Sequence, residues 1–279
     1  SPTDDETYIV TVTDNNNCVN TDTLFLAVEP NVPTDAGGIN DTINICEGLA
    51  QVLGGSPTAP IGSTFQWNPT LTLTSPSSSN PLALPLTPSW YIVETNNDTC
   101  SGIDSVFVNF FPDLIASSGT NQQICIGDST TIIASGGNTY NWSPVLNSNG
   151  DTILINDSII NPQVFPIDTT TFYVTITDTN GCVKTDSTII IVNPLPNFDL
   201  GSNTSICLND SLNLLASSGN NYVWTPNYNI TDTSISNPTV FNLVDTSYFV
   251  TVTDSNSCIN FDSITIAVNS LPTVNASAN

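Results

Sequence analysis

The sequence predicts an all-β chain of tandem antiparallel sandwiches, strung like beads. Three observations carry this expectation. Four short signatures recur in one order at a period of about 80 residues, apolar residues alternate with period two ahead of each hairpin turn, and no window shows a capped amphipathic helix. The first signature is an aromatic residue ten positions before a cysteine: Tyr8 and Cys18, Trp90 and Cys100, Phe172 and Cys182, Tyr248 and Cys258. The second is Ile-Cys followed by x-Gly or x-Asn, at Cys46, Cys125 and Cys207. The third is aromatic-x-Trp-x-Pro around Trp67, Trp142 and Trp224, and the fourth is Asn-Pro at Asn80, Asn161 and Asn237.

The elements follow in order. Residues 1–29 read as the last two strands of a preceding repeat. Complete repeats span 30–111, 112–193 and 194–269, and 270–279 opens a following one. Prolines mark the joints at Pro30 to Pro33, Pro112, Pro194 to Pro196, and Pro272. A chain that begins and ends inside repeats reads as a segment of something longer. Within a repeat, Thr130/Ile132/Ala134 and Leu212/Leu214/Ala216 alternate as early strands. The tryptophan follows on a third strand as the core residue between two sheets. Phe172, Val174 and Ile176 share one face of a later strand, Asp178 to Gly181 form a hairpin turn, and Val183 to Val192 form the closing strand. Short strands with a turn signal roughly every ten residues point to a sandwich of immunoglobulin type. The first complete repeat departs from the pattern, with Glu94 at an inward position and Asn96 where the others have the turn aspartate.

Composition narrows the function. The 279 residues carry 25 acidic and 1 basic side chain, a formal net charge of −24, with no histidine. A single cation cannot neutralise phosphates, so nucleic-acid partners are excluded. Anionic membranes repel the chain, and no window is long and apolar enough to insert. Lys184 alone could donate to a salt bridge, and every histidine-dependent triad or metal site is absent. No nucleophile elbow, phosphate loop or dinucleotide fingerprint occurs, and a repeated module offers no unique cleft, so the chain reads as non-enzymatic with no catalytic residues and no cofactor.

The segments Ile124-Cys125-x-Gly127-Asp128-Ser129, Tyr140-x-Trp142-x-Pro144, Asn161-Pro162 and Thr171 to Cys182 resemble the tandem PKD-like and Ig-like domains of cell-surface adhesins from gliding Bacteroidetes-type bacteria. The resemblance spans nearly the whole chain. It implies export by the type IX secretion system and display outside the cell, on its surface. On this reading the chain is a structural segment of a long filament or adhesin. Its partners are adjacent repeats, surface glycans or other copies of the filament. The alternative is a non-catalytic carbohydrate-binding or spacer region of a secreted enzyme.

Seven cysteines at fixed places in an exported chain read as disulfides. Two pairings stand open. One closes each repeat on itself, as Cys46–Cys100, Cys125–Cys182 and Cys207–Cys258, and leaves Cys18 over. The other follows from sandwich topology, in which the first turn and the last hairpin lie at opposite ends of one domain. It staples neighbours as Cys46–Cys182 and Cys125–Cys258, leaving Cys18, Cys100 and Cys207 to other partners.

Ten Asp-Ser/Thr pairs admit two readings. They open strands after turns, or they resemble the O-glycosylation signal of the same bacterial group. The candidate acceptors are Thr23, Thr42, Ser105, Ser129, Thr152, Ser158, Thr169, Ser187, Ser211 and Ser263. Asp14, Asp178 and Asp254 recur at the hairpin turn and are weak candidates for Ca²⁺, which needs six to eight oxygens; a solvated acidic surface is the plainer reading.

Overall fold

A computed structural model of the chain describes residues 2–275, and every regular element among them is a β-strand. The proposed opening of a further repeat at 270–279 therefore lies partly outside the described residues. The chain divides into two compact units. The first is the chain up to Leu114 with Thr179–Cys182, and the second is Ile115–Asp178 with the chain from Val183 onward.

In the first unit, β1 (Glu6–Thr13) and β2 (Val19–Leu26) form an antiparallel hairpin exposed along its whole length. A sandwich follows, built from β3 (Thr42–Cys46), β4 (Gln51–Val52), β5 (Thr64–Asn68), β6 (Leu82–Ala83), β7 (Ser89–Asn96) and β8 (Ser101–Phe111). Its larger sheet has the order β3-β8-β7-β5, with β3 parallel to β8, and its smaller sheet pairs β4 with β6. The second unit holds two more. One is β9 (Gln122–Cys125), β10 (Thr130–Thr131), β11 (Thr139–Ser143), β12 (Leu154–Ile155), β13 (Gln163–Val164), β14 (Thr170–Thr177) and β15 (Val183–Asn193). The other is β16 (Thr204–Cys207), β17 (Leu212–Asn213), β18 (Asn221–Thr225), β19 (Thr239–Val240), β20 (Thr246–Thr253) and β21 (Ile259–Asn269). Their larger sheets repeat the first as β9-β15-β14-β11 and β16-β21-β20-β18. The fold is all-β, a tandem series of antiparallel sandwiches of immunoglobulin type.

The period-two pattern places the cores. Phe172, Val174 and Ile176 on β14, and Tyr248, Val250 and Val252 on β20, are fully buried while their neighbours face outward. The tryptophans Trp67, Trp142 and Trp224 are buried and stand opposite Val93, Val174 and Val250. Each indole N–H donates to a loop carbonyl, that of Ser78, Ile159 or Ile235, at 3.0, 3.0 and 2.9 Å. Burial of the ring and satisfaction of its one donor make these residues core anchors. Trp142→Ala is expected to lower the stability of its sandwich by about 3–5 kcal/mol. Trp142→Phe, which keeps most of the apolar ring but loses the indole donor and part of the volume, should cost less, about 1–3 kcal/mol. Urea unfolding read by near-UV circular dichroism orders the two, and equal losses would contradict the core assignment.

The first sandwich corrects two expectations. Its hairpin spans Asn97 to Cys100, one residue shorter than the Asp254-to-Cys258 turn, so counting ten back from Cys100 lands one position too early. The inward aromatic is Tyr91, which is buried, and Trp90 lies outside against Phe107 at a ring separation of 5.2 Å. The same shift turns Glu94 outward, with Val93 and Thr95 buried on either side, and makes Asn97 rather than Asn96 the counterpart of the turn aspartate.

Candidate functional site: paired cysteines, strand latches and exposed hydroxyls

Two disulfides are closed, Cys46–Cys182 and Cys125–Cys258, with Cα separations of 5.7 and 5.5 Å. They span 136 and 133 residues of sequence. Cys18, Cys100 and Cys207 are free thiols. The self-closing alternative is not what the structure contains, and strand length is the reason. Cys46 pairs in register with Phe111 at the far end of β8, whereas Cys100 immediately precedes its near end. Cys207 and Cys258 stand in the same relation to Asn269 and β21. Each closing strand has 11 residues, about 36 Å at ~3.3 Å per residue, so neither pair can meet.

The Ile-Cys cysteines are presented alike. Each ends the parallel edge strand, and the next amide donates to the last carbonyl of the closing strand: Glu47 to Phe111, Ile126 to Asn193 and Leu208 to Asn269, at 2.8 to 2.9 Å. The hairpin cysteines are presented by aspartate-closed turns. Asp14 Oδ1 accepts from the amides of Asn16 and Cys18, and Asp254 Oδ1 from those of Asn256 and Cys258, all at 2.8 to 2.9 Å. Asp14, Asp178 and Asp254 stand on separate hairpins, and in two of them a carboxylate oxygen is already held by turn amides. Among the described residues no three His, Cys, Asp or Glu side chains form a metal-binding group.

A second device was not anticipated. In the first two sandwiches the opening segment first pairs just past the strand that begins the smaller sheet, Ala36 with Gly54 and Ser117 with Ser135, and then crosses to the larger one. At the crossing, the amides of Ala36, Ser118 and Leu200 donate to the carboxylates of Asp104, Asp186 and Asp262 at 2.7, 2.8 and 2.9 Å. The three aspartates lie mid-strand on β8, β15 and β21, each opposite an inward valine, Val93, Val174 or Val250. They are not strand openers, which corrects the turn reading for these Asp-Ser pairs. Asp22 sits in the same register opposite Val10. One residue past the held amide comes Gly37, Gly119 or Gly201, at φ +87°, +79° and +82°. A β-carbon at Gly37 or Gly119 would lie 2.9 Å from a backbone carbonyl, so the bend requires glycine there. The repeat of Gly37, Gly119 and Gly201 at intervals of 82 residues was the available signal. At Asp186 the Ser118 amide lowers the carboxyl's pKa most, followed by the Ser187 amide, with the Ser118 hydroxyl adding to them.

The hydroxyl candidates are spread over all the sandwiches. Thr23, Thr42, Ser129, Thr152, Ser158, Thr169, Ser187, Ser211 and Ser263 are exposed, and Ser105 is half-buried. Thr23, Ser105, Ser187 and Ser263 follow the mid-strand aspartates, while Thr42, Ser129, Thr169 and Ser211 stand at strand starts.

A family described as Ig-like domain, CHU_C associated, has a model that matches residues 112–196. No curated protein matches the chain. Among solved structures, the titin I-band fragment I67–I69 is similar at 10% identity, covering 82% of this chain and 95% of that one, with a TM-score of 0.44. Drosophila OTK extracellular domains 3–5 are similar at 10% identity over 86% and 97%, with a TM-score of 0.33. Sidekick-1 immunoglobulin domains 1–5 are similar at 12% identity over 97% and 68%, with a TM-score of 0.32. The family match lies on the middle of the three sandwiches, and the other two repeat its larger-sheet order.

Proposed function

We propose that this chain is a structural segment of a long extracellular surface filament or adhesin, and that it performs no catalysis. One observation carries the reading: both disulfides join an edge-strand cysteine to a hairpin cysteine more than 130 residues away, so that they bridge successive repeats. A bond inside one sandwich protects that sandwich, whereas a bond between repeats makes a series of them continuous. The Ig-like match at residues 112–196 supports reading the middle repeat as a structural domain of this kind. Disulfides fit an exported chain. The formal charge of −24 favours extension and suppresses side-to-side bundling at low salt. In this reading the domains are those at 30–111, 112–193 and 194–269, and the exposed serines and threonines after aspartates are the O-glycosylation sites, where sugars would shield the thread.

Electron microscopy of the native protein, on cells or shed from them, tests this reading. The expected image is a beaded thread with a repeat near one sandwich length. A compact particle of a few domains would overturn it. Peptide mapping of the same material by mass spectrometry tests glycosylation, with the expectation of glycan-bearing Asp-Ser/Thr peptides.

A further inference from the structure

The free thiol of Cys207 closely matches two cysteines that are bonded. Cys46, Cys125 and Cys207 each close the parallel edge strand, in register with Phe111, Asn193 and Asn269. The turn that follows folds back onto the cysteine carbonyl in each case. Leu49 donates to Cys46 at 3.2 Å, Asp128 to Cys125 at 3.0 Å and Asp210 to Cys207 at 3.0 Å. Two of these three cysteines hold a hairpin cysteine in a disulfide; the third is exposed. The second observation concerns the partner. Cys18 is also exposed and free, at the end of an aspartate-closed turn with the same two amide bonds that surround bonded Cys258. Cys100 is presented differently. Its turn is a residue shorter, and its sulfur lies half-buried, 3.8 Å from the Glu29 carboxylate.

We propose that Cys207, with the end of β16, is a docking site for the hairpin cysteine of a further sandwich of this type, and that Cys18 is a hairpin of the kind it accepts. The inference rests on the staple reading above and names its partner. An edge-strand cysteine never meets another of its own class here, so the contact is heterologous. Repeated between copies it gives an open chain rather than a closed dimer. The chemistry is an oxidation. The two thiols lose two protons and two electrons, a sulfur–sulfur bond forms, and one molecule of oxidised glutathione is reduced to two thiols.

The probe is a second copy of the chain itself. The purified protein, with its two native disulfides intact, is incubated in oxidised and reduced glutathione and run on a non-reducing gel, and cross-linked peptides are mapped by mass spectrometry. The expected result is a ladder whose junction peptide is Cys18–Cys207. The ladder should be lost in Cys207→Ser and in Cys18→Ser and kept in Cys100→Ser. Dimers joined Cys207–Cys207, or monomers glutathionylated at Cys207, would overturn the proposal. Mapping the native protein distinguishes the source, since the hairpin cysteine bonded to Cys207 belongs either to the same polypeptide or to another. A free Cys207 in that sample also overturns the proposal. The ladder can fail while electron microscopy still shows a thread, so the failure of this inference and that of the filament reading are separable.

Discussion

Stretched from anchors outside Cys46 and Cys258, the oxidised chain is expected to yield no more than about 200 Å between those cysteines after every sandwich has unfolded, and about 740 Å once reduced, at ~3.5 Å per extended residue. The factor follows from how the two disulfides interlock. Cys125 lies inside the Cys46–Cys182 loop, and Cys182 lies inside the Cys125–Cys258 loop. Tension arriving at Cys46 crosses to Cys182, runs backwards along the chain to Cys125 and crosses again to Cys258. Only the stretch from residue 125 to residue 182 then bears load, about 57 residues of the roughly 212 between residues 46 and 258. The stretches 46–125 and 182–258 are bypassed. Removing either disulfide alone should give an intermediate limit of about 270 Å, because one of those bypassed stretches becomes the shortest route. Single-molecule force spectroscopy with and without reductant, on the wild type, Cys182→Ser and Cys258→Ser, checks all three lengths. Equal contour lengths in oxidised and reduced samples would sink the connectivity argument.

Loop closure of this size also stabilises by restricting the unfolded chain, on the order of 5 kcal/mol for each bond in the chain-entropy account. The two bonds share residues 125–182, so their contributions will not simply add. The mechanical effect does not depend on that accounting. It is a property of covalent paths and survives complete loss of packing.

Much of the fold was legible because its causes are local and periodic. The alternation on β14 and β20 comes from inward side chains at every second residue, and the tryptophans recur because one ring fills the same place in each core. The single error of register, at Tyr91 and Glu94, came from measuring back from a cysteine across a turn whose length differs by one residue. A one-residue slip exchanges the two faces of a strand, so a small turn change inverted the assignment of every side chain before it. The latch aspartates were hidden for a different reason. Asp104, Asp186 and Asp262 bond to amides 62 to 68 residues earlier, and nothing in a local window distinguishes them from Asp128 or Asp210 at strand starts. The cysteine pairing was half legible. Topology said which cysteines cannot meet within one sandwich, and the 11-residue closing strands in the structure set the distance that keeps them apart.

Loss of a latch carboxylate is the second large effect expected, and Asp186 shows it most directly. Its Oδ2 accepts from both the amide and the hydroxyl of Ser118, which is 1% exposed, at 2.8 and 2.9 Å. Asp186→Ala strips both donors of their acceptor in a buried setting, and the cost should be about 1–3 kcal/mol in urea unfolding at neutral pH. Asp186→Asn keeps an acceptor oxygen but removes the charge, and should cost less. The two changes also separate geometry from electrostatics through pH. The Asp186 pKa is lowered in the folded state by the Ser118 amide above all, so the folded protein holds the charged form more tightly than the unfolded chain does. That contribution is fully present above the unfolded carboxyl's value near 3.9, and is lost as pH falls through the lower folded value. The stability gap between wild type and Asp186→Asn should therefore be constant from pH 7 to about 5 and narrow below about 4. A gap that stays the same down to pH 3 would refute the charge-based part and leave only the hydrogen-bond geometry. The consequence reaches the disulfide. β9 is held to β15 on the far side of the same crossing and ends in Cys125. With the crossing loosened, the edge strand keeps its parallel pairing and the bonds from Thr188 Oγ1 to the Thr120 carbonyl and from the Ile189 amide to Asn121 Oδ1, but loses the hold on the segment that leads into it. Under tension the Asp186→Ala sandwich should yield at lower force than wild type while giving the same final length, since the covalent path is untouched.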